Sequence, residues 1–316
     1  MFATIKLTRI SVAIGAIADI WLVLLMTKND ADYVATSVYL LPIWSSLLAT
    51  AIIAIGMWGF AASLNDTVDA RHDATFHPSR PIPSGWIPIA QAVVVMICSL
   101  LIALLAASFL GTWPMRLGLL TAAAILFYNV IGKHVPAIGL VSIGFIYAIH
   151  MLIPNIELTF TLPVWLTFTH IMACSIAIYI LNDKRPQIST RGWVGVFIGW
   201  LIWSIIILSG PLARSGSLIP DGMHAASLIW PIFAILFFVV VIRVKVSNAR
   251  TSQIAAEKVR RYGALWQCMY ATAWLLSLQS YAPAIGIFIF TLASFIFVMI
   301  VKEATGSTGK PISWRV

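Results

Sequence analysis

The chain has 316 residues, 60% of them hydrophobic and only 10% charged, where a soluble domain carries roughly 25% charged residues. Its mean hydropathy is +0.95 and its formal charge is +9. These values exclude a soluble globular enzyme and a disordered chain. The basic residues lie between apolar runs rather than in one patch, so no nucleic-acid partner is expected.

Lys6 and Arg9 precede a first apolar run over 10–26. Further apolar runs follow it, so it reads as a retained span rather than a cleaved signal peptide. The others lie at 38–63, 87–110, 113–131, 136–153, 161–181, 193–210, 225–242, 263–279 and 283–301. A membrane span needs about 20 apolar residues, so little is left for a soluble part. The expected fold is all-α: one polytopic membrane helix bundle over 1–316, with nine or ten transmembrane helices. The last two runs are split only around Ser280–Pro283 and read as two spans, or as one span and an interfacial piece. With ten spans and a cytoplasmic N-terminus, every Lys and Arg except Lys28, Arg116 and Arg214 falls on the inside. That asymmetry fixes the orientation and favours an even number of spans. It places the protein in the cell inner membrane as a multi-pass protein, with its polar loops cytoplasmic.

Cys98, Cys174 and Cys268 are far apart in apolar runs, with no metal-ligand spacing, and read as packing residues. The tryptophans cluster near span ends as interfacial anchors.

Acids are scarce, so their positions carry information. Asp30, Asp32, Glu157 and Asp221 lie in or near outer loops, and Glu257 and Glu303 in basic cytoplasmic segments. The other five are different. Asp19 falls midway along the first span, where a carboxylate costs about 2.5–3.5 kcal/mol by insertion scales. It should face the bundle interior, either recognising an acceptor or removing its proton, or else partnering a buried polar group. Asp66, Asp69 and Asp73 crowd the inner end of the second span in Asn65-Asp66-Thr67-Val68-Asp69-Ala70-Arg71-His72-Asp73. On a continuing helix, Asn65, Asp69 and Asp73 share one face. Such oxygens suit Mg²⁺, which bridges one or two carboxylates to substrate phosphates; a solvated acidic helix end is the plainer alternative. Arg80-Pro81-Ile82-Pro83-Ser84-Gly85 follows, and its prolines are expected to stop the helix and hold the segment extended. Arg80 could then grip a phosphate in bidentate fashion.

The combined string NDxxDxxxD then RPxPSG resembles the UbiA superfamily of intramembrane prenyltransferases, known for nine spans. Its short internal gap is similar to that of the chlorophyll-synthase and archaeal lipid-synthase branches. Arg9 ahead of Asp19 is similar to an EboC-like bacterial branch. The resemblance implies a helical bundle around a central cavity that opens to the cytoplasm. It implies transfer of an isoprenyl group from an isoprenyl diphosphate to an aromatic or other lipophilic acceptor within the lipid bilayer, with Mg²⁺ as cofactor. Carried over by position, Asn65, Asp66, Asp69, Asp73 and Asp183 become metal ligands, the four aspartates also counting as catalytic. Arg80, Lys133, Lys184 and Arg185 become diphosphate binders, and Tyr128, Asn129, Arg9 and Asp19 further substrate contacts. Tyr128 and Lys133 match the Tyr and Lys that the family carries between its fourth and fifth spans. The second motif, DxxxD, is matched at Asp183 but has Gln187 in place of its second acid. A neutral amide lacks a carboxylate's charge, so Lys184, Arg185 and Arg191 are candidates to neutralise the diphosphate instead. His150 and His170, inside spans 5 and 6, read either as a base for an acceptor hydroxyl or as hydrogen-bonded core residues. Two other functions fit the fold: a lipid or isoprenoid binder or transporter without prenyl transfer, and an enzyme of different diphosphate chemistry.

Overall fold

A computed structural model describes the backbone of residues 7–306 apart from 79 and 221, and the side chains of 11–300 apart from 79, 211, 215 and 221. The helices are α1 (Leu7–Lys28), α2 (Ser37–Leu40), α3 (Ile43–Val68), α4 (Ala70–Phe76), α5 (Ile89–Leu110), α6 (Thr112–Val130), α7 (Pro136–Met151), α8 (Leu162–Leu181), α9 (Thr190–Ser215), α10 (Ile229–Ser247), α11 (Ser252–Ser277) and α12 (Tyr281–Gly306). Among the described residues there is no β-strand, so the chain is all-α. Lipid cannot satisfy an unpaired backbone amide, and helices satisfy their own.

Among the described residues, eight helices are long and apolar enough to cross a membrane: α1, α3, α5, α6, α8, α9, α10 and α12. The chain is therefore a multi-pass integral membrane protein. α7 is apolar but shorter, and begins with a proline, whose missing N–H costs nothing in a first turn. α11 is the exception. It starts at Ser252, where the Thr251 side chain accepts from the amide of Ile254. The apolar run at 263–279 is thus only its second half, and the first half, Ser252–Tyr262, is helical rather than loop. A helix shielded by its neighbours needs no apolar outer face, and α11 packs against α1, α8, α10 and α12.

α1 and α11 form the centre of the bundle. Ala18, Ile20, Val23 and Leu24 of α1 are fully buried, as are Cys268 and Leu275 of α11. No hydrophobic effect drives helices together in lipid, so close backbone approach through small residues takes its place. A Cβ at Gly15 would overlap the carbonyl oxygen of Ala264, and one at Gly56 would lie 2.8 Å from both the Ala103 Cβ and the Ser99 oxygen. These contacts seat α1 on α11 and α3 on α5. Val94, Leu101, Ile205, Phe233, Leu236 and Ile296 face outward from α5, α9, α10 and α12, as a lipid-facing surface requires. Cys174 and Cys268 are buried, but Cys98 lies on the exterior of α5, against the packing role expected of it.

α3 ends at Val68, and Asp69 joins it to α4. The amides of Asp69, Asp73 and His77 still donate to the carbonyls of Asn65, Asp69 and Asp73, so the four-residue spacing survives across the junction. The segment after α4 is not extended. It coils into successive turns, with the Ser84 amide donating to the Arg80 carbonyl at 2.9 Å, the Gly85 amide to Ile82 at 3.0 Å, and Gly85 at φ 76°. Proline at position 81 fixes a φ suited to a turn, and Gly85 accepts the left-handed backbone that closes it.

Candidate functional site in a cationic cavity

A cavity of about 1250 Å³ opens where the N-terminus of α1 and the C-terminus of α3 lie, and runs up between α1, α3, α6 and α7. Its upper wall is apolar, with Ala16, Ala54, Met57, Ile125 and Ile146, and includes the aromatic rings of Trp58, Tyr128 and Tyr147. Its mouth is strongly polar. Arg71, Arg80, Lys133, Lys184 and Arg260 line it, against the two acids Asp69 and Glu257. The excess of positive charge suits an anionic ligand head, and the apolar wall suits its tail.

The mouth is built from separate elements. Lys133, from the turn between α6 and α7, places its Nζ 2.6 Å from Asp69 Oδ1 and 3.3 Å from Asn65 Oδ1. Arg80 Nη1 lies 2.5 Å from Asp73 Oδ2, and the His72 ring is 3.9 Å from the same carboxylate. Asp73 is only 2% exposed, so Arg80 is its main compensation for burial. On α11, Arg260 Nη1 lies 2.8 Å from Glu257 Oε1, while Glu257 Oε2 is buried without a hydrogen-bond partner. Lys184 reaches in from the exposed loop after α8. Partial burial, then the like charges of Arg260, Lys133 and Arg80, lower its pKa from the usual lysine value, and Asp69 opposes them.

Of the residues expected from the sequence, Asn65, Asp69, Arg80, Tyr128, Asn129, Lys133 and Lys184 line this cavity together. Asn129 is buried, and its amide donates to the Ile125 carbonyl at 2.9 Å. Asp66 lines a separate groove of about 490 Å³ between α3 and α5, beside Pro81 and Ile82. Asp73 stands behind Arg80 rather than in the lining. Asp183 and Arg185 are exposed, 3.2 Å apart, and the Gln187 amide donates to Asp183 Oδ1 at 3.4 Å. Asp183 also has a left-handed backbone, φ 46°. From that loop, Asn182 and Lys184 reach the cavity lining instead. Asp19 is 2% exposed in the bundle core, next to the side-chain amide of Gln267 and the Thr167 hydroxyl, away from the lining. Arg9 falls in the first turn of α1, and its side chain lies outside the described residues.

Among the described residues no three of His, Cys, Asp and Glu gather as a ready-made ion site. One pair of donors nevertheless suits a hard cation. Asn65 Oδ1 and Asp69 Oδ1 converge on the single positive charge of Lys133. Two such oxygens are the protein share of a typical Mg²⁺ site, water and phosphate supplying the rest.

Sequence reasoning missed Gln253, Glu257 and Arg260, which the charge content of their segment assigned to a loop. The signal was present: these residues recur at i, i+4 and i+7, one face of a helix. Trp58, placed among the interfacial tryptophans, lines the cavity instead.

Comparison with known proteins follows the same lines. The model of the UbiA prenyltransferase family matches residues 33–187, which include Asn65, Asp69, Arg80, Lys133 and Lys184. A search of curated proteins finds no match. Among solved structures, a digeranylgeranylglyceryl phosphate synthase superposes with a TM-score of 0.51 at 18% identity, covering 87% of this chain and 97% of that one. An apo UbiA homologue from Aeropyrum pernix K1 gives 0.47 at 15% identity, covering 92% and 98%. At these identities the synthase establishes a shared fold.

Proposed function

Because the chain belongs to the UbiA prenyltransferase family, whose members are membrane prenyltransferases, we propose that it transfers an isoprenyl group from its diphosphate to a lipophilic acceptor inside this cavity. The observation that carries the reading is the union of two environments in one space: the cationic mouth around Lys133 and Asp69, and the apolar aromatic wall above it.

In this reading Arg80, Lys133, Lys184 and Arg260 bind the diphosphate oxygens. Asp73 positions Arg80 and Glu257 positions Arg260. The carbon–oxygen bond to the diphosphate breaks with its electron pair leaving on oxygen, and the four cations stabilise that developing charge. Trp58, Tyr128 and Tyr147 face the allylic cation with their rings and keep water away from it. A nucleophilic atom of the acceptor then bonds to the allylic carbon, and the acceptor loses a proton. Asn65 and Asp69 would hold a Mg²⁺. Such an ion supplies further neutralisation of the leaving diphosphate. Arg260 and Lys184 make up for the acid that Gln187 replaces, because they bring charge to the ligand directly. The basic mouth faces the cytoplasm, where the diphosphate would be supplied, in a bacterial inner membrane.

Purified protein in lipid nanodiscs should release diphosphate from geranylgeranyl or farnesyl diphosphate when a suitable acceptor and Mg²⁺ are present, and Asp69→Ala should abolish release. Failure to bind or turn over any prenyl diphosphate would end this reading.

A second reading, an isoprenoid-binding or transporting protein, is favoured by one observation: Asp183 and Gln187 bond to each other outside the cavity. It predicts tight binding of prenyl diphosphates with no release of diphosphate under any acceptor.

A further inference from the structure

His150 lines the upper cavity from the last turn of α7. It is only 5% exposed, and neither ring nitrogen has a hydrogen-bond partner. The other buried imidazole behaves differently. His170 has its Nε2 2.9 Å from the Gly263 carbonyl and its Nδ1 3.2 Å from the Tyr270 hydroxyl, as a core histidine should. His150 is thus a buried polar group, left unsatisfied, in the wall of a large cavity. Thr121, which lines the same cavity, donates its hydroxyl to the Leu117 carbonyl of its own helix and makes no hydrogen bond to the His150 ring.

Position narrows the ligand chemistry. His150 stands roughly 21 Å along α7 from Pro136, at 1.5 Å per residue. The charged mouth is at the Pro136 end, next to Lys133. No cation, and no described carboxylate, lines the cavity wall between Ala54, Thr121, Ile125, Ile146 and His150. An ionic group there would lose its hydration without compensation. A neutral imidazole offers one donor and one acceptor. A hydroxyl matches both, and a carbonyl takes the donor.

We propose that the inner end of the cavity is a recognition site for a neutral oxygen function, hydroxyl or carbonyl, on an otherwise apolar molecule, with His150 as the residue that binds it. The proposal rests on the prenyltransferase reading and names the ligand chemistry far from its diphosphate. That oxygen can belong to the acceptor or to the distal end of the prenyl donor.

The test uses the full chain in nanodiscs and three probes: geranylgeranyl diphosphate, the same diphosphate hydroxylated on its terminal isoprene, and naphthol. Affinities are compared for the native chain, His150→Phe and His150→Gln, with a melting curve to establish that each is folded. His150→Leu replaces the Phe variant if that one is not. Native protein is expected to bind naphthol or the hydroxylated diphosphate about five- to ten-fold tighter than His150→Phe, the effect of one buried hydrogen bond. His150→Gln should keep part of the gain, and plain geranylgeranyl diphosphate should bind native and variant alike. A gain confined to naphthol assigns the oxygen to the acceptor, and one confined to the hydroxylated diphosphate assigns it to the donor. If geranylgeranyl diphosphate binds but neither oxygenated probe distinguishes the variants, the His150 site is refuted and the functional reading stands. If geranylgeranyl diphosphate does not bind at all, the functional reading fails. A His150-dependent affinity for naphthol would then still establish the inner site, and its absence would refute both.

Discussion

Lys133 Nζ sits 2.6 Å from Asp69 Oδ1, across 64 positions of sequence. The pair ties the end of α3 to the turn before α7 and holds one cation and one anion at the mouth of the cavity. In the proposed function an anionic ligand would compete with Asp69 for Lys133, and the pair would act as a latch that substrate opens.

Lys133→Met is therefore expected to raise the KM for prenyl diphosphate about ten- to hundred-fold, the range for losing one hydrogen bond to a charged group. Steady-state kinetics on the detergent-purified variant measure this. An unchanged KM would remove Lys133 from the binding set.

Asp73 and Asp69 should respond differently to mutation. Asp73→Asn weakens the hold on Arg80, so the KM for diphosphate should rise several-fold while the Mg²⁺ concentration for half-maximal activity stays fixed. Asp69→Asn should shift that Mg²⁺ requirement upward. Magnesium activation curves of the two variants decide; a shift for Asp73→Asn would make Asp73 a metal ligand rather than a positioning residue.

Arg260→Gln is expected to raise the KM for prenyl diphosphate by about ten-fold or more, and Glu257→Gln by less, since it only loosens the 2.8 Å contact that holds Arg260. Kinetics on both variants, with Arg261→Gln as a neighbour control, test whether α11 contributes to the site.

The lowered pKa of Lys184 sets a pH dependence. An unfolded chain keeps this lysine protonated to higher pH than the folded one. Between the lowered value and the ordinary lysine value the unfolded state holds more protons, so the stability of the ligand-free protein rises with pH there. Bound diphosphate favours the charged ammonium, so binding takes up a proton in that window, and affinity falls as pH rises through it. Calorimetric titration of geranylgeranyl diphosphate in two buffers of different ionisation enthalpy measures the uptake, which Lys184→Met should remove.

Gly15→Val should lower stability by about 1–3 kcal/mol, the usual cost of overpacking, because any Cβ there meets the Ala264 carbonyl. A thermal melt in detergent reports it. A melting temperature equal to that of the native chain would mean that α1 and α11 can separate without loss.

The helical class and nearly every span were legible because lipid forces a simple code: long apolar runs separated by charge. Asn65, Asp69, Arg80 and Lys133 were legible because charge is rare enough in this chain for each residue to stand out. What sequence did not reveal was direction. Asp66 and Asp69 are three residues apart, yet line different spaces on the two sides of α3, and the helix ending at Val68 sends Asp73 behind Arg80. Asp183 carries the right residue type in the right loop, but its left-handed backbone and its bonds to Arg185 and Gln187 keep it outside. α11 was misjudged because its first half is polar, and only the surrounding helices make a polar half tolerable.

That last property bears on how the chain is made. By length and composition α11 is not among the helices apolar enough to cross a membrane, which makes it a poor candidate for one-by-one partitioning from the translocon into lipid. Its entry is expected to be cooperative, guided by helices already in place or by the strongly apolar α12 behind it. Ribosome-released chains truncated after Leu278 should leave α11 open to added protease, and full-length chains should not; equal protection of both would show that α11 inserts unaided.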